Sequence, residues 1–189
     1  MTIARLEAVS DGVFAIIITI MVLELPRPQG HDWTGLLHVW PAFLVYVLSF
    51  VFLGIAWNNH RHLFRAAQQD SNRLIWANFN LLFWLSLLPY VTAWAGETHF
   101  APVPMAVYAA DALLSAVAFN VMIRVIKQDP RNHPQSLESQ GRTVASFVAH
   151  IVSVIAPLVS PAGVWVSGLC LIFVALTWLV PDRRRGQNV

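Results

Sequence analysis

At 189 residues the chain has room for one domain, but 57% of it is hydrophobic and only 12% is charged, against about 25% charged in soluble domains. A mean hydropathy of +0.58 and eight tryptophans agree with that imbalance, so an ordinary soluble domain is excluded and an integral membrane protein indicated. A formal charge of +2 with no basic run interleaved with aromatics excludes a nucleic-acid binder, and a single cysteine, Cys170, excludes a disulfide framework or a cysteine zinc cluster.

Six membrane-spanning helices are predicted in one domain, an all-α bundle covering 1–189. The first, about 4–25, opens on Arg5, Glu7, Ser10 and Asp11 and runs into an apolar stretch from Gly12 to Leu23, stopped by Pro26-Arg27-Pro28. That apolar stretch alone is short of the roughly 20 residues a bilayer needs. The Ser10-Asp11 end must therefore enter the membrane, where ionisable groups face protein or water. Charges beside a helix start, and the lack of a small-residue cleavage site at Glu24-Leu25-Pro26, predict that this helix is no removable leader.

The second span, 34–57, follows Asp32 as N-cap and carries Pro41 in its first turns. The third, 74–96, contains Asn78 and Asn80, and the fourth, 103–125, contains Asp111 and Asn120. No formal charge occurs from Thr143 to Pro181, nearly two spans' worth of chain. Ser160-Pro161-Ala162-Gly163 divides it into spans 143–160 and 162–181 joined by a tight hairpin. Pro102-Val103-Pro104 and Gln135 to Gln140 read as loops.

Eleven of the twelve basic residues fall on one side of this topology: Arg5, Arg61, Arg65, Arg73, Arg124, Lys127, Arg131, Arg142 and Arg183-Arg184-Arg185, with only Arg27 opposite. The positive-inside rule then places both termini in the cytoplasm, in keeping with an even number of spans. Trp33, Trp40, Trp57, Trp76, Trp94 and Trp178 lie near span ends and read as an interfacial aromatic belt.

At 100° per residue, Arg5, Ile16, Thr19 and Leu23 share a strip of the first helix about 60° wide, and Asp11 lies about 140° from Ile16. Several copies of that strip around an axis would enclose a narrow conduit with apolar rings and one hydroxyl ring. The same strip also suits plain helix packing, with Thr19 bonded to its own helix. His60-x-His62 does not share a helix face, and no carboxylate or cysteine completes a metal site; no metal, organic cofactor or catalytic set is expected. Asp111, Asn120, Asn78 and Asn80 are expected to bond across helices. His150 reads as a satisfied interior histidine or a pH sensor, and Glu24 as a charge at the far mouth or a solvated helix end.

Arg5-xxx-Val9-Ser10-Asp11, followed by Gly-Val-Phe-Ala-Ile-Ile-Ile-Thr, resembles the Arg-xxx-Phe-Ser-Asp first-helix motif of the transmembrane protein 175 family of potassium channels. The likeness extends through Trp40-Pro41, Ser49-Phe50 to Trp57, Asn59-His60-Arg61-His62-Leu63-Phe64, Leu88-Pro89 and Trp178-Leu179-Val180-Pro181-Asp182-Arg183-Arg184. Val9 departs from the family's phenylalanine, which is expected to loosen local packing and leave the Arg, Ser and Asp chemistry intact.

The resemblance implies a potassium-selective channel in a prokaryotic cell membrane, passing K+ passively without a TVGYG filter. Four copies, each with one six-helix set, would form a homotetramer whose first helices line a central pore. Ile16, Thr19 and Leu23 match the family's constriction and selectivity layers, and Arg5, Ser10 and Asp11 match the motif that ties the helices together. The competing expectation is a proton- or cation-coupled small transporter using Asp11, Glu24 or Asp111. Against it, spans one and four lack the proline interruptions common in transporters.

Overall fold

The computed structural model describes residues 2–68, 71–129, 132 and 140–179, the side chains of 140–142 apart. Arg131, most of the 135–140 segment, the side chain of Arg142 and the basic run Arg183-Arg184-Arg185 lie outside the described residues. The regular structure of the rest is all helix: α1 (Ile3–Leu23), α2 (Trp33–His38), α3 (Trp40–Ala66), α4 (Asn72–Glu97), α5 (Pro102–Gln128), α6 (Gln140–Val159) and α7 (Gly163–Leu179). By length and composition α1, α3, α4 and α5 can each cross a membrane, while Thr143–Val159 of α6 and α7 are shorter apolar helices.

Local chemistry sets the helix ends. Thr2 Oγ1 accepts a hydrogen bond from the Arg5 amide at 3.3 Å, capping α1. Asp32 Oδ1 accepts from the Gly35 amide at 3.0 Å and caps α2. The second apolar segment breaks at Val39 into α2 and α3, because Pro41 has no N–H to continue the ladder and sits best in a helix's first turn. At its other end α3 continues past Trp57 through the Asn59-His60-Arg61-His62 stretch to Ala66.

Between α4 and α5 the chain turns through a Schellman motif. The Phe100 amide donates to the Ala95 carbonyl at 3.0 Å and the His99 amide to the Gly96 carbonyl at 3.1 Å. His99 (φ 51°) and Phe100 (φ 61°) both sit in the left-handed region, which side chains other than glycine's resist. Phe100 is held there by edge-on contact with Trp40 at 5.8 Å and a tilted contact with Trp165 at 6.3 Å. The α6–α7 turn falls at Ser160–Gly163, where Ser160 Oγ accepts from the Gly163 amide at 3.1 Å. A Cβ on Gly163 would run into the Ala156 carbonyl, so glycine is required.

α4 is the most enclosed long helix and packs against α1, α3 and α5, with α6 and α7 completing the bundle beside α5. Leu81, Leu85 and Leu88 of α4 and Ala109, Ala118 and Met122 of α5 form the middle of the core. The outer surface is apolar, with Phe43, Phe50, Phe83, Leu169 and Phe173 facing out, as a lipid-facing surface requires.

Candidate functional site: the two faces of the first helix

α1 lies against α3 and α4 and divides into two faces. Leu6, Ser10, Phe14, Ile17 and Met21 recur at the helical spacing of three and four and are buried. The opposite face carries Arg5, Ala8, Val9, Gly12, Ile16, Thr19 and Leu23, all exposed on the single protomer.

The inner face is held by a chain of hydrogen bonds with a defined direction. Asn78 Oδ1 can only accept, so His60 Nε2, 2.8 Å away, carries the proton and donates. Asn78 Nδ2 donates to Ser10 Oγ at 2.9 Å, and Ser10 Oγ donates to the Leu6 carbonyl at 2.9 Å. All three side chains are buried, at 0% exposure, where satisfied polar links gain strength and broken ones cost most. Phe14 and Phe64 flank the His60 ring edge-on at 5.4 and 4.7 Å.

Asp11, half-buried beside this chain, accepts from Trp57 Nε1 at 2.8 Å. The Arg61 guanidinium stands 4.9 Å from the centroid of the same indole ring, so Trp57 bridges an anion at its edge and a cation on its face. Ser10 and Asp11 thus tie α1 to α4 and α3. The residues that receive them are Trp57 and Asn78, with His60 behind Asn78. The sequence has Asn78 bonding across helices and His60 as hydrogen-bonded or cytoplasm-facing, but it names no partner for His60 and reads Trp57 as interfacial belt. The signal in reach was the proximity of Trp57 and His60 in one helix, a turn apart, opposite a Ser-Asp pair in another.

The outer face keeps its predicted strip together. Ile16 is 58% and Leu23 80% exposed, so neither contributes to the protomer's own core. Thr19 Oγ1 donates back to its own helix, at 2.9 Å from the Ile16 carbonyl and 3.2 Å from the Ala15 carbonyl. With the hydroxyl hydrogen committed to the backbone, what Thr19 offers outward is oxygen lone pairs. Val9 is also outward, 41% exposed, and is not among the buried residues of the protomer core. Ala8, Gly12, Ala15 and Thr19 form a line of small residues beside the Ile16–Leu23 strip, and a Cβ on Gly12 would meet nothing within 4 Å.

Three expectations for the other polar residues are corrected. Asn120 Nδ2 donates to the Ala116 carbonyl of its own helix at 2.8 Å rather than across helices. Asn80 is exposed, and both carboxyl oxygens of Asp111 are buried with no hydrogen-bond partner among the described residues. Ser49 instead makes the second cross-helix polar cluster, 2.8 Å from Thr92 Oγ1 and 2.9 Å from the Tyr108 hydroxyl.

A family model described as endosomal/lysosomal potassium channel TMEM175 matches residues 5–89, which contain most of α1, all of α2 and α3 and most of α4. A potassium channel from Chryseobacterium sp. (strain P1-3) is 41% identical over 192 residues, covering 100% of this chain and 98% of its own. An endosomal/lysosomal proton channel TMEM175 from Gallus gallus is 38% identical over 72 residues, 32% of this chain and 14% of its own. Among solved structures, the crystal structure of a lysosomal potassium-selective channel TMEM175 homolog from Chamaesiphon minutus matches with a TM-score of 0.82 at 28% identity, over 94% of this chain and 96% of that one.

Proposed function

Because the chain belongs to the TMEM175 family of ion channels, rather than to any family of enzymes, we propose that it is a potassium channel of the cell membrane whose pore is built from α1. In this reading four protomers meet around an axis, each crosses the membrane six times with both termini in the cytoplasm, and the outer face of α1 turns to the centre. The observation that carries it is the division of α1: Ser10 and Asp11 bind inward to α3 and α4, while Ile16, Thr19 and Leu23 are left exposed in one file. The small residues Ala8, Gly12 and Ala15 beside that file allow neighbouring helices to approach closely.

Four such files give two apolar rings, from Ile16 and Leu23, and between them a ring of threonine oxygens. A narrow apolar ring empties of water and closes the conduit to ions unless it widens. An ion passing it sheds part of its hydration shell. Na+ is smaller than K+ and holds that shell more tightly, so the rings favour K+, while the Thr19 oxygens replace lost water ligands. Arg5 stands at the cytoplasmic end of the same file.

A second reading, proton conduction, is favoured by the name of the Gallus gallus relative and is tested in the same assay. Purified protein in liposomes is expected to carry a K+ flux that collapses with the diffusion potential, as a channel's does and a coupled transporter's does not. Ile16→Asn is expected to raise the flux several-fold and Thr19→Ala to shift the K+/Na+ preference. Parental flux and preference in both variants would overturn the site assignment, and a flux of H+ without K+ would replace the ion.

A further inference from the structure

The pairs His60–Asn78, Ser49–Thr92 and Ala42–Gly96 run in opposite order along α3 and α4, so the two helices are antiparallel. Two residues from His60 and from Asn78, both on the side away from the α3–α4 connection, stand Asn58 and Asn80. A step of two residues turns a helix by about 200° and rises about 3 Å. Asn58 and Asn80 therefore share one level of the bundle, and each points away from the other's helix. Both are exposed, and neither makes a hydrogen bond among the described residues.

Each asparagine lies about 12 Å in from its helix end at that connection, on helices about 40 Å long in a hydrocarbon core about 30 Å thick. Acyl chains offer a carboxamide nothing to bond, so at this depth its partners must come from protein. The two faces also differ in shape. About one turn further from the connection, α3 presents Gly54, where an added Cβ would meet nothing within 4 Å. At nearly the same level α4 presents Phe83, 55% exposed. One face thus carries an amide beside a hollow, and the other an amide beside a projecting ring.

We propose that these two faces are the two halves of one contact between copies of the chain. Asn58 of one protomer exchanges hydrogen bonds with Asn80 of the next, each amide giving an N–H and taking one at its carbonyl, while Phe83 of the next covers Gly54. A contact between unlike faces repeats from copy to copy and closes into a ring. α1 lies between the two faces, packed on both α3 and α4, so the closed ring keeps it on the inside. The proposal rests on the reading in which α1 lines a shared axis and names the surface that builds that axis.

The test is crosslinking of the full chain in liposomes, in a Cys170→Ser background, with a short bifunctional methanethiosulfonate. Asn58→Cys and Asn80→Cys in the same chain should give a ladder from dimer to tetramer on a non-reducing gel. Coexpressed single variants should give dimers only, and either single variant alone should stay monomeric on the gel. Gly54→Leu, with the asparagines intact, should lose the tetramer in native mass spectrometry, and adding Phe83→Ala should recover it. A tetramer that gives no ladder in the double variant and is indifferent to Gly54→Leu would overturn this contact and leave the α1 reading standing. Self-crosslinking of Asn58→Cys alone would overturn it too, by showing like faces in contact. A parent chain that is monomeric throughout would overturn both.

Discussion

Asn78 is the residue on which the inner face of α1 turns, because its amide offers an acceptor to His60 and a donor to Ser10 in one rigid plane. Asn78→Leu keeps the branched shape at Cγ but strands the His60 N–H and withdraws the donor from Ser10. A buried polar group left without its partner costs about 1–3 kcal/mol, so a marked fall in the detergent melting temperature is expected, measured by thermal unfolding of the purified protein. Trp57→Phe is milder in kind: Asp11 loses its indole partner but stays half-exposed and can find water. The chemistry of Ser10 and Asp11 was legible in the sequence as polar groups forced into a membrane helix. Their partners were not, since a tryptophan near a span end looks the same whether it anchors at an interface or donates to a carboxylate.

The helices themselves were legible wherever a run of apolar residues met a strong breaker. Pro26-Arg27-Pro28 ends the α1 segment and Ser160–Gly163 turns α6 into α7, each for a backbone reason that no tertiary contact needs to supply. Three boundaries were not legible, one of them the start of α5, where Pro102-Val103-Pro104 reads as a loop but opens the helix. Pro41 fits the first turn of a helix equally well whether or not another helix precedes it, so the break at Val39 has no signal of its own. The polar stretch after Trp57 marks departure from the hydrocarbon and not the end of the helix, which runs to Ala66. The α4–α5 turn holds a residue that does not suit its backbone. His99→Gly at the left-handed position is expected to stabilise the fold by about 0.5–1 kcal/mol, the strain relieved being partly offset by glycine's freedom when unfolded. Phe100→Gly, one residue on, should act in the opposite sense because the ring's contacts with Trp40 and Trp165 are lost. Denaturant unfolding of the pair of variants distinguishes backbone strain from packing.

In the molecule as a whole, the surface that matters is the one the protomer leaves bare. Gly12 lies on that surface, where an added Cβ would meet nothing within 4 Å, so Gly12→Leu is expected to leave the protomer's secondary structure and melting unchanged while abolishing the proposed tetramer and its flux. Native mass spectrometry and liposome flux read the two effects separately; a tetramer with full flux would show that α1 does not line the shared axis. One consequence reaches beyond K+. Thr19 spends its only hydrogen on its own backbone, and so presents the negative end of its dipole outward with no ionised group taking part. In the assembly we propose, anions would meet a repulsive collar that neither acid nor alkali can switch off, and the preference for positive ions would hold across the whole range of pH the protein survives.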